Sequence, residues 1–370
     1  MERRFNGFIF TNPISQMNIL VNALSGIGDA LMFTPSLKLL KEAYPNSEIH
    51  ALVMFKAVKD FYERNPNISS VIHFDFLSEG FIKSLKFIFL LRGYYDISIN
   101  VYPSNRKEYN VINYLIGAKR RAAVKYLRKD FQNLGFLNNT RIIENDSLHN
   151  VQSNLKLCEK LSNHNDKNES PLEFPLTNSD FRFSADLLDK LNITSTDLVI
   201  GFHPGSAILK NQAKRRWEPE KFAELGRKLI EKNKAKILIF GGPTEDELKE
   251  TIVKQINLPN AFAVSSHNLT ESAAVMKRCN VFVTNDSSLM HIASALQLKV
   301  VAIIGPTNPN YIYPWKTEHK IVSLNLDCAP CFIYSPRPLI CFRDDVKFKC
   351  IRELGVDRVY IAVMGFLNSK

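Results

Sequence analysis

Asp29 is the residue of this chain best placed for acid–base chemistry. It follows a short aliphatic run, Ile19 to Val21, and a turn holding Ser25, Gly26 and Gly28, and it precedes the helical pattern of Leu31, Leu37 and Leu40. The turn lets backbone approach a ligand, and the helix start behind it carries unsatisfied N–H groups and partial positive charge. A carboxylate there is favoured in its ionised form by about 0.3–1 kcal/mol when exposed, which suits a general base. The position suits a carboxylate that only caps the helix equally well.

Three further strand-to-helix turns in the second half carry residues suited to a nucleoside diphosphate. Gly205 and Ser206 open the first, with Lys210, Lys214, Arg215 and Arg216 following before Trp217. Such cations neutralise a pyrophosphate, arginine with a planar donor fork. Gly241 to Glu245 forms the second, where Glu245 can accept from ribose hydroxyls. Thr284-Asn285-Asp286-Ser287-Ser288 forms the third, small and hydroxylated residues at a helix N-terminus and so a ready anion site. All three fall at one edge of a single expected sheet, where folds of this kind bind ligands.

The elements that must position these turns alternate short apolar strands with helices, the rhythm of parallel sheets flanked by helices. Strands are expected at 49–53, 71–74 and 97–101, then at 237–240, 281–284 and 300–304. Helices are expected at about 151–161, 219–232, 244–255, 271–278 and 287–296. The strand and glycine turn of 18–29 recur at 198–206, so the chain reads as two similar α/β domains, 1–178 and 179–370, with a cleft between them and a linker approached through 144–180. A last helix, Glu353 to Leu367, is expected to pack back across that cleft. Residues 1–16 show no clear pattern and read as a disordered extension or a misplaced start.

Composition bounds the function. The 370 residues are 45% hydrophobic and 23% charged, an ordinary globular mixture. No run reaches the roughly 18 apolar residues of a spanning helix, and the N-terminus is too short in apolar residues for a secretory signal, so a cytoplasmic protein is expected. The net charge of +11 points to anionic partners. Nucleic acid ranks last among them, since neither zinc-finger spacing nor an aromatic–basic RNA signature occurs. NAD is disfavoured because the third glycine position of the dinucleotide fingerprint is Leu31, and the strand near Val53 does not end in an acid. The P-loop signature and an Asp-x-Asp triplet are absent as well. Phe81 to Leu91 is an apolar helix with Lys83, Lys86 and Arg92 on or beside it, read either as packing on its sheet or as dipping into a membrane surface. Lys119, Arg120, Arg121, Lys125, Arg128 and Lys129 are the densest basic stretch, read as a solvated face or as an acidic acceptor site.

Taken together, Ser25-Gly-Ile-Gly-Asp-Ala-Leu-Met-Phe-Thr-Pro35, His203-Pro-Gly-Ser206, Arg216-Trp217, Phe240-Gly-Gly-Pro243, Thr284-Asn-Asp-Ser287 with Met290-His291, and Gly305-Pro-Thr307 resemble the lipopolysaccharide heptosyltransferase family, in order and spacing from about residue 18 to 355. The resemblance implies a GT-B fold, two Rossmann-like domains facing across a cleft. It implies metal-independent, inverting transfer of heptose from ADP-heptose to the inner core of lipopolysaccharide, with no catalytic cofactor. By position, Asp29 matches the general base, Arg215 a contact to the donor phosphates, and Asp286 a holder of sugar hydroxyls. The Ser287–Leu289 backbone, with Ser288 where many relatives have glycine, matches the pyrophosphate site. Ser206 joins the donor residues and Glu245 is the ribose candidate, while Gly28, Arg120 and Arg121 are assigned to an acidic glycolipid acceptor. Contact with the inner face of the cytoplasmic membrane follows from such an acceptor. Protein hydroxyls as acceptor, a nucleotide-sugar epimerase and a binding protein are the alternatives.

Four of six cysteines cluster as Cys328-x2-Cys331-x9-Cys341-x8-Cys350. A structural zinc or iron site bracing the loop after Gly305 is one reading and four reduced thiols the other. His203 and His291 are expected to serve packing or hydrogen bonding.

Overall fold

A computed structural model of the chain describes residues 3–5, 8–10, 17–165, 169–207, 209–332 and 338–368. The chain divides into two compact units, Met1–Pro175 and Leu176–Lys370. In the N-terminal stretch expected to be patternless, β1 (Arg3–Phe5) and β2 (Phe8–Phe10) pair antiparallel; residues 11–16 lie outside the described residues, as does the side chain of Lys210.

The first unit holds six parallel strands: β3 (Asn18–Ala23), β4 (Glu48–Val53), β5 (Ser70–His73), β6 (Ile97–Asn100), β7 (Arg120–Lys125) and β8 (Thr140–Ile143). Its helices are α1 (Ile27–Met32), α2 (Thr34–Ala43), α3 (Lys56–Tyr62), α4 (Phe81–Leu91), α5 (Lys107–Ile116) and α6 (Asn150–Ser162). The second unit repeats the plan with β9 (Val199–His203), β10 (Lys236–Ile239), β11 (Ala261–Ala263), β12 (Val281–Asn285), β13 (Val300–Ile303) and β14 (His319–Val322), again all parallel. Its helices are α7 (Asn178–Lys190), α8 (Pro219–Asn233), α9 (Asp246–Ile256), α10 (Leu269–Met276), α11 (Ser288–Ala295), α12 (Pro309–Ile312), α13 (Lys349–Arg352) and α14 (Val356–Leu367).

The strand orders are β5-β4-β3-β6-β7-β8 and β11-β10-β9-β12-β13-β14. Each sheet starts at its middle, winds to one edge and then returns to fill the other. The order therefore reverses between β3 and β6 and between β9 and β12, and a crevice opens there beyond the carboxyl ends of the strands. Both central strands, β3 and β9, are buried along their whole length, as parallel strands covered on both faces must be. The C-terminal helix α14 buries Val359, Val363 and Phe366 in the core of its own unit, against α8 and the strands β13 and β14.

Strands β7, β8, β11 and β14 have no counterpart among the expected elements. Three of them are edge strands, and β7 hides its apolar centre, Ala122 to Val124, behind Arg120 and Arg121. Helix α4 has two characters. Phe87, Ile88 and Leu91 are buried with Phe74 and Tyr95, whereas Phe81, Ile82 and Phe89 are exposed. Among the described residues no helix is long and apolar enough to cross a membrane.

The first unit also contains a buried chain of asparagines. Asn22 Nδ2 donates to Asn100 Oδ1 (3.2 Å) and Asn113 Oδ1 (2.9 Å). Asn113 donates to Asn138 (2.7 Å), while Asn138 and Asn100 both donate to Asn110 Oδ1 at 2.8 and 3.1 Å. Asn110 donates to the Asn133 carbonyl (2.8 Å), Asn133 to Asn105 Oδ1 (2.6 Å), and Asn105 to the Arg128 carbonyl (3.4 Å). Each amide is removed from water, so each needs these partners to offset its lost hydration.

Candidate functional site

At the crevice of the second sheet, the ends of β9 and β12 are tied together. Asn285, the last residue of β12, donates from Nδ2 to the Pro204 carbonyl (2.7 Å), and its Oδ1 accepts from the Trp217 N–H (3.0 Å). Trp217 is fully buried, and its indole N–H donates to the Leu354 carbonyl at 2.9 Å. One side chain thus fixes both the turn after β9 and the segment carrying Arg215 and Arg216.

Two ion pairs stand on this base. Arg215 Nη1 donates to Asp286 Oδ2 at 2.7 Å, with the side chains 12% and 8% exposed. Thr307, in the loop after β13, donates to the same oxygen at 2.7 Å. Arg215 also donates to Gln212 Oε1 (3.1 Å) and lies over the Phe332 ring, while its Nε is buried without a partner among the described residues. The second pair joins Arg216 Nη2 to Glu245 Oε1 at 3.1 Å, and Arg216 Nε donates to Ser206 Oγ at 3.2 Å. His203 links the halves, with Nδ1 2.8 Å from Ser287 Oγ and Nε2 3.3 Å from Glu245 Oε2. Burial pushes the Glu245 carboxyl up, but His203, the Gly242 N–H (3.0 Å) and Arg216 outweigh it and hold the group below the usual carboxylate range. A Cβ at Gly205 would stand 1.8 Å from Glu245 Oε1, so a side chain there would push the carboxylate off its partners.

Helix α11 starts just beyond, with Ser287 at its N-cap and the backbone of Ser288 and Leu289 in its first turn. His291 is 4% exposed, and burial pushes its imidazole down to about 4, with Asp286 opposing and Arg215 reinforcing the shift. The site therefore offers two arginines held in fixed directions, a buried guanidinium nitrogen still to be satisfied, and helix N–H groups at a crevice. This is an anion-binding arrangement.

The expected donor residues Ser206, Arg215, Glu245, Asp286, Ser287, Ser288 and Leu289 are thus brought together. Their internal roles are more specific than their types suggested. Ser206 is 6% exposed and holds Arg216, and Glu245, expected at a ribose, has both oxygens engaged by His203, Arg216 and Gly242. Sequence reasoning missed Asn285 as the tie and Thr307 as the second partner of Asp286, although both lie inside the quoted motifs.

In the first unit, Asp29 is the third residue of α1, half-buried, and its Oδ2 accepts from the Gly26 N–H at 3.2 Å. It caps the helix start, a contact that both readings of Asp29 allow. Two tyrosines clamp the surrounding turn: Tyr109 donates to the Leu24 carbonyl (2.9 Å) and Tyr62 to the Ala30 carbonyl (2.7 Å). Burial raises both phenols, with the Asp29 charge adding to it and Arg106 opposing it at Tyr109, so they stay protonated and donating. Gly28 lies in the first turn of α1 beside Asp29. Arg106, which sequence reasoning passed over, lies with its guanidinium over the Tyr109 ring, 5.8 Å from the centroid.

Arg120 and Arg121, expected beside the acceptor, are elsewhere. They begin β7, opposite Ile97 and Ser98 of β6, at the amino edge of the parallel sheet, whereas Asp29 follows its carboxyl edge. Their guanidiniums are engaged locally, Arg120 with the Leu161 carbonyl and Arg121 with the carbonyls of Leu137 (3.0 Å) and Ala118 (2.8 Å).

The cysteine segment does brace the loop after Gly305, through backbone. The N–H groups of Cys331 and Phe332 both donate to the Pro306 carbonyl at 2.9 Å. Burial, reinforced by the neighbouring thiols, pushes Cys350 up to about 11 and raises Cys331. Among the described residues no group of three or more His, Cys, Asp or Glu side chains is arranged to hold a metal ion. The structural zinc or iron expected at Cys328, Cys331, Cys341 and Cys350 therefore has no support in this geometry.

The lipooligosaccharide heptosyltransferase 2 of Campylobacter jejuni is 32% identical over 171 residues, 44% of this chain and 49% of the relative, so the chain spans about half the length of that protein. That of Haemophilus ducreyi is 29% identical over 325 residues, 83% of this chain and 89% of the relative. The structure of the Escherichia coli ADP-heptose LPS heptosyltransferase II superposes with a TM-score of 0.69 at 19% identity, over 95% of this chain and 98% of that one, so the two Rossmann-like units are those of a GT-B fold. Residues 85–337, more than half of the chain and including every donor-site residue named above, match one family throughout, and the protein belongs to glycosyltransferase family 9 (heptosyltransferase).

Proposed function

We propose that this protein transfers heptose from ADP-heptose to an inner-core lipopolysaccharide glycan, with inversion and with Asp29 as general base. The observation that carries the reading is the Arg215–Asp286–Thr307 cluster at the start of α11, on residues within the family match. Family membership and the names of the relatives support the sugar and the acceptor class.

In the proposed step the Asp29 carboxylate takes the proton of an acceptor hydroxyl. That oxygen bonds to the anomeric carbon, and the bond from this carbon to the β-phosphate oxygen breaks, its electron pair leaving with ADP. Arg215, Arg216 and the N–H groups of α11 meet the charge that develops on the diphosphate. Asp286, steadied by Thr307 and Arg215, faces the sugar hydroxyls. The countercharge comes from arginine, so turnover is expected to survive chelators. A glycolipid acceptor places the reaction at the inner face of the cytoplasmic membrane.

The test is ADP release from ADP-heptose with a purified core acceptor. Asp29→Asn should lower kcat about 10²–10⁴-fold while calorimetric ADP binding stays unchanged. Turnover only on a protein acceptor would move the acceptor to protein hydroxyls. Preference for UDP over ADP, or full activity in Asp29→Asn, would defeat the reading.

A further inference from the structure

The loop that follows β7 turns its polar groups inward and its rings outward. Asp130 is the one acid between residues 125 and 137. It is consumed inside the loop, accepting from the Tyr126 N–H at 3.1 Å and from Arg141 Nη1 at 3.0 Å. Glu144 beside it is buried, accepting from the Tyr102 hydroxyl and the Leu127 N–H, both at 2.9 Å. The buried Tyr126 hydroxyl accepts the Ser104 N–H, and Asn105 holds the Arg128 carbonyl, so the loop is fastened from below.

What faces outward is apolar and cationic. Leu127, Phe131 and Phe136 are 53%, 78% and 49% exposed, and the two phenyl rings lie 5.3 Å apart. Lys125 and Arg128 are exposed beside them and Lys129 is half-buried. Water-exposed rings in a loop that is otherwise tightly hydrogen-bonded are costly unless something covers them. The charge beside them selects an anionic cover.

The geometry points to docking of this loop on a bilayer surface rich in anionic phospholipid headgroups, with Leu127, Phe131 and Phe136 entering the headgroup–acyl boundary and Lys125, Arg128 and Lys129 meeting the phosphates. β3 and β7 run parallel in one sheet, so the loop after Lys125 and the turn holding Asp29 lie at the same edge. Docking there delivers a lipid-linked hydroxyl to the edge that carries the base; only this last step rests on the function proposed above.

The experiment is flotation of the full-length protein with phosphatidylcholine vesicles, with and without phosphatidylglycerol. The wild type should partition onto the anionic vesicles alone, and added salt should weaken it. At about fivefold per cation near such a surface, Lys125→Gln/Arg128→Gln/Lys129→Gln should lose on the order of a hundredfold in partitioning. Phe131→Ser/Phe136→Ser should lose binding as well, while Phe89→Ser, an exposed apolar change at the far end of α4, should not. Thermal unfolding of each variant shows that the fold is kept. Equal binding to neutral vesicles, no binding to anionic ones, or unchanged binding in the loop variants would overturn the proposal. So would a concentration-dependent dimer that Phe131→Ser/Phe136→Ser abolishes, since a second copy would then be the cover. Heptose transfer to a delipidated core oligosaccharide, measured without vesicles, reports on the enzymatic reading separately.

Discussion

Replacing His291 by glutamine should remove an acid-side instability from the second unit without touching its charge pairs. His291 is 4% exposed on α11, near Asp286 and Arg215, and its Nδ1 has no hydrogen-bond partner among the described residues. Burial holds its pKa at about 4, against 6.5 for the imidazole of the unfolded chain. Because the folded value is depressed, the unfolded state binds the proton first as pH falls. Stability is therefore intact above about pH 6.5 and is lost progressively down to about pH 4. At 1.36 kcal/mol per pH unit the loss between pH 7.5 and 5.0 is about 2 kcal/mol. For a unit of this size that is a fall of roughly 4–8 °C in Tm. The assay is calorimetric unfolding of wild type and His291→Gln at both pH values. Glutamine does not titrate, so its Tm should fall by that much less; any packing cost of the change is the same at both pH values and cancels. Equal falls in the two proteins would refute the reasoning.

Arg215→Met should destabilise the second unit by about 3–5 kcal/mol by leaving the Asp286 charge buried with Thr307 alone. Adding Asp286→Met should restore much of the stability but none of the ADP binding, as read by calorimetry. Gly205→Ala puts a methyl into the Glu245 carboxylate and should cost about 1–3 kcal/mol, a loss that Glu245→Ser relieves in thermal denaturation. Asn138→Leu strips the acceptor from Asn113 Nδ2, while Asn110 Oδ1 keeps its bond from Asn100, and should cost about 1–3 kcal/mol for the amide left unpaired; urea unfolding of the first unit measures it.

Much of the fold was legible because parallel sheets write themselves as apolar runs. Ile19–Val21 and Val281–Thr284 could be read this way, and the three turns at 205–206, 241–245 and 284–288 could be assigned to one edge of the second sheet because doubly wound sheets bind ligands there. Pairings across the chain were not legible. Nothing local tells Arg215 that its partner is Asp286, 71 residues on, or Glu245 that His203 and Arg216 take up its oxygens. Arg120 and Arg121 were misplaced by attending to charge and not to strand direction, for a basic pair preceding Ala-Ala-Val opens a strand and so falls at its amino edge. The asparagines were invisible for a different reason: the type is depleted in strands and favoured in turns, and only burial turns Asn22 and Asn100 into structural members.

That asparagine chain has a direction. From Asn22 to the Arg128 carbonyl, every side-chain amide named above gives its hydrogen onward. An amide has distinct giving and receiving ends, so rotating one member by half a turn would set hydrogen against hydrogen on one side and oxygen against oxygen on the other. The chain can be whole or broken, but it has no cheap intermediate arrangement. It ties the central strand to the loop after β7 by bonds that fix orientation as well as distance, which an apolar contact does not.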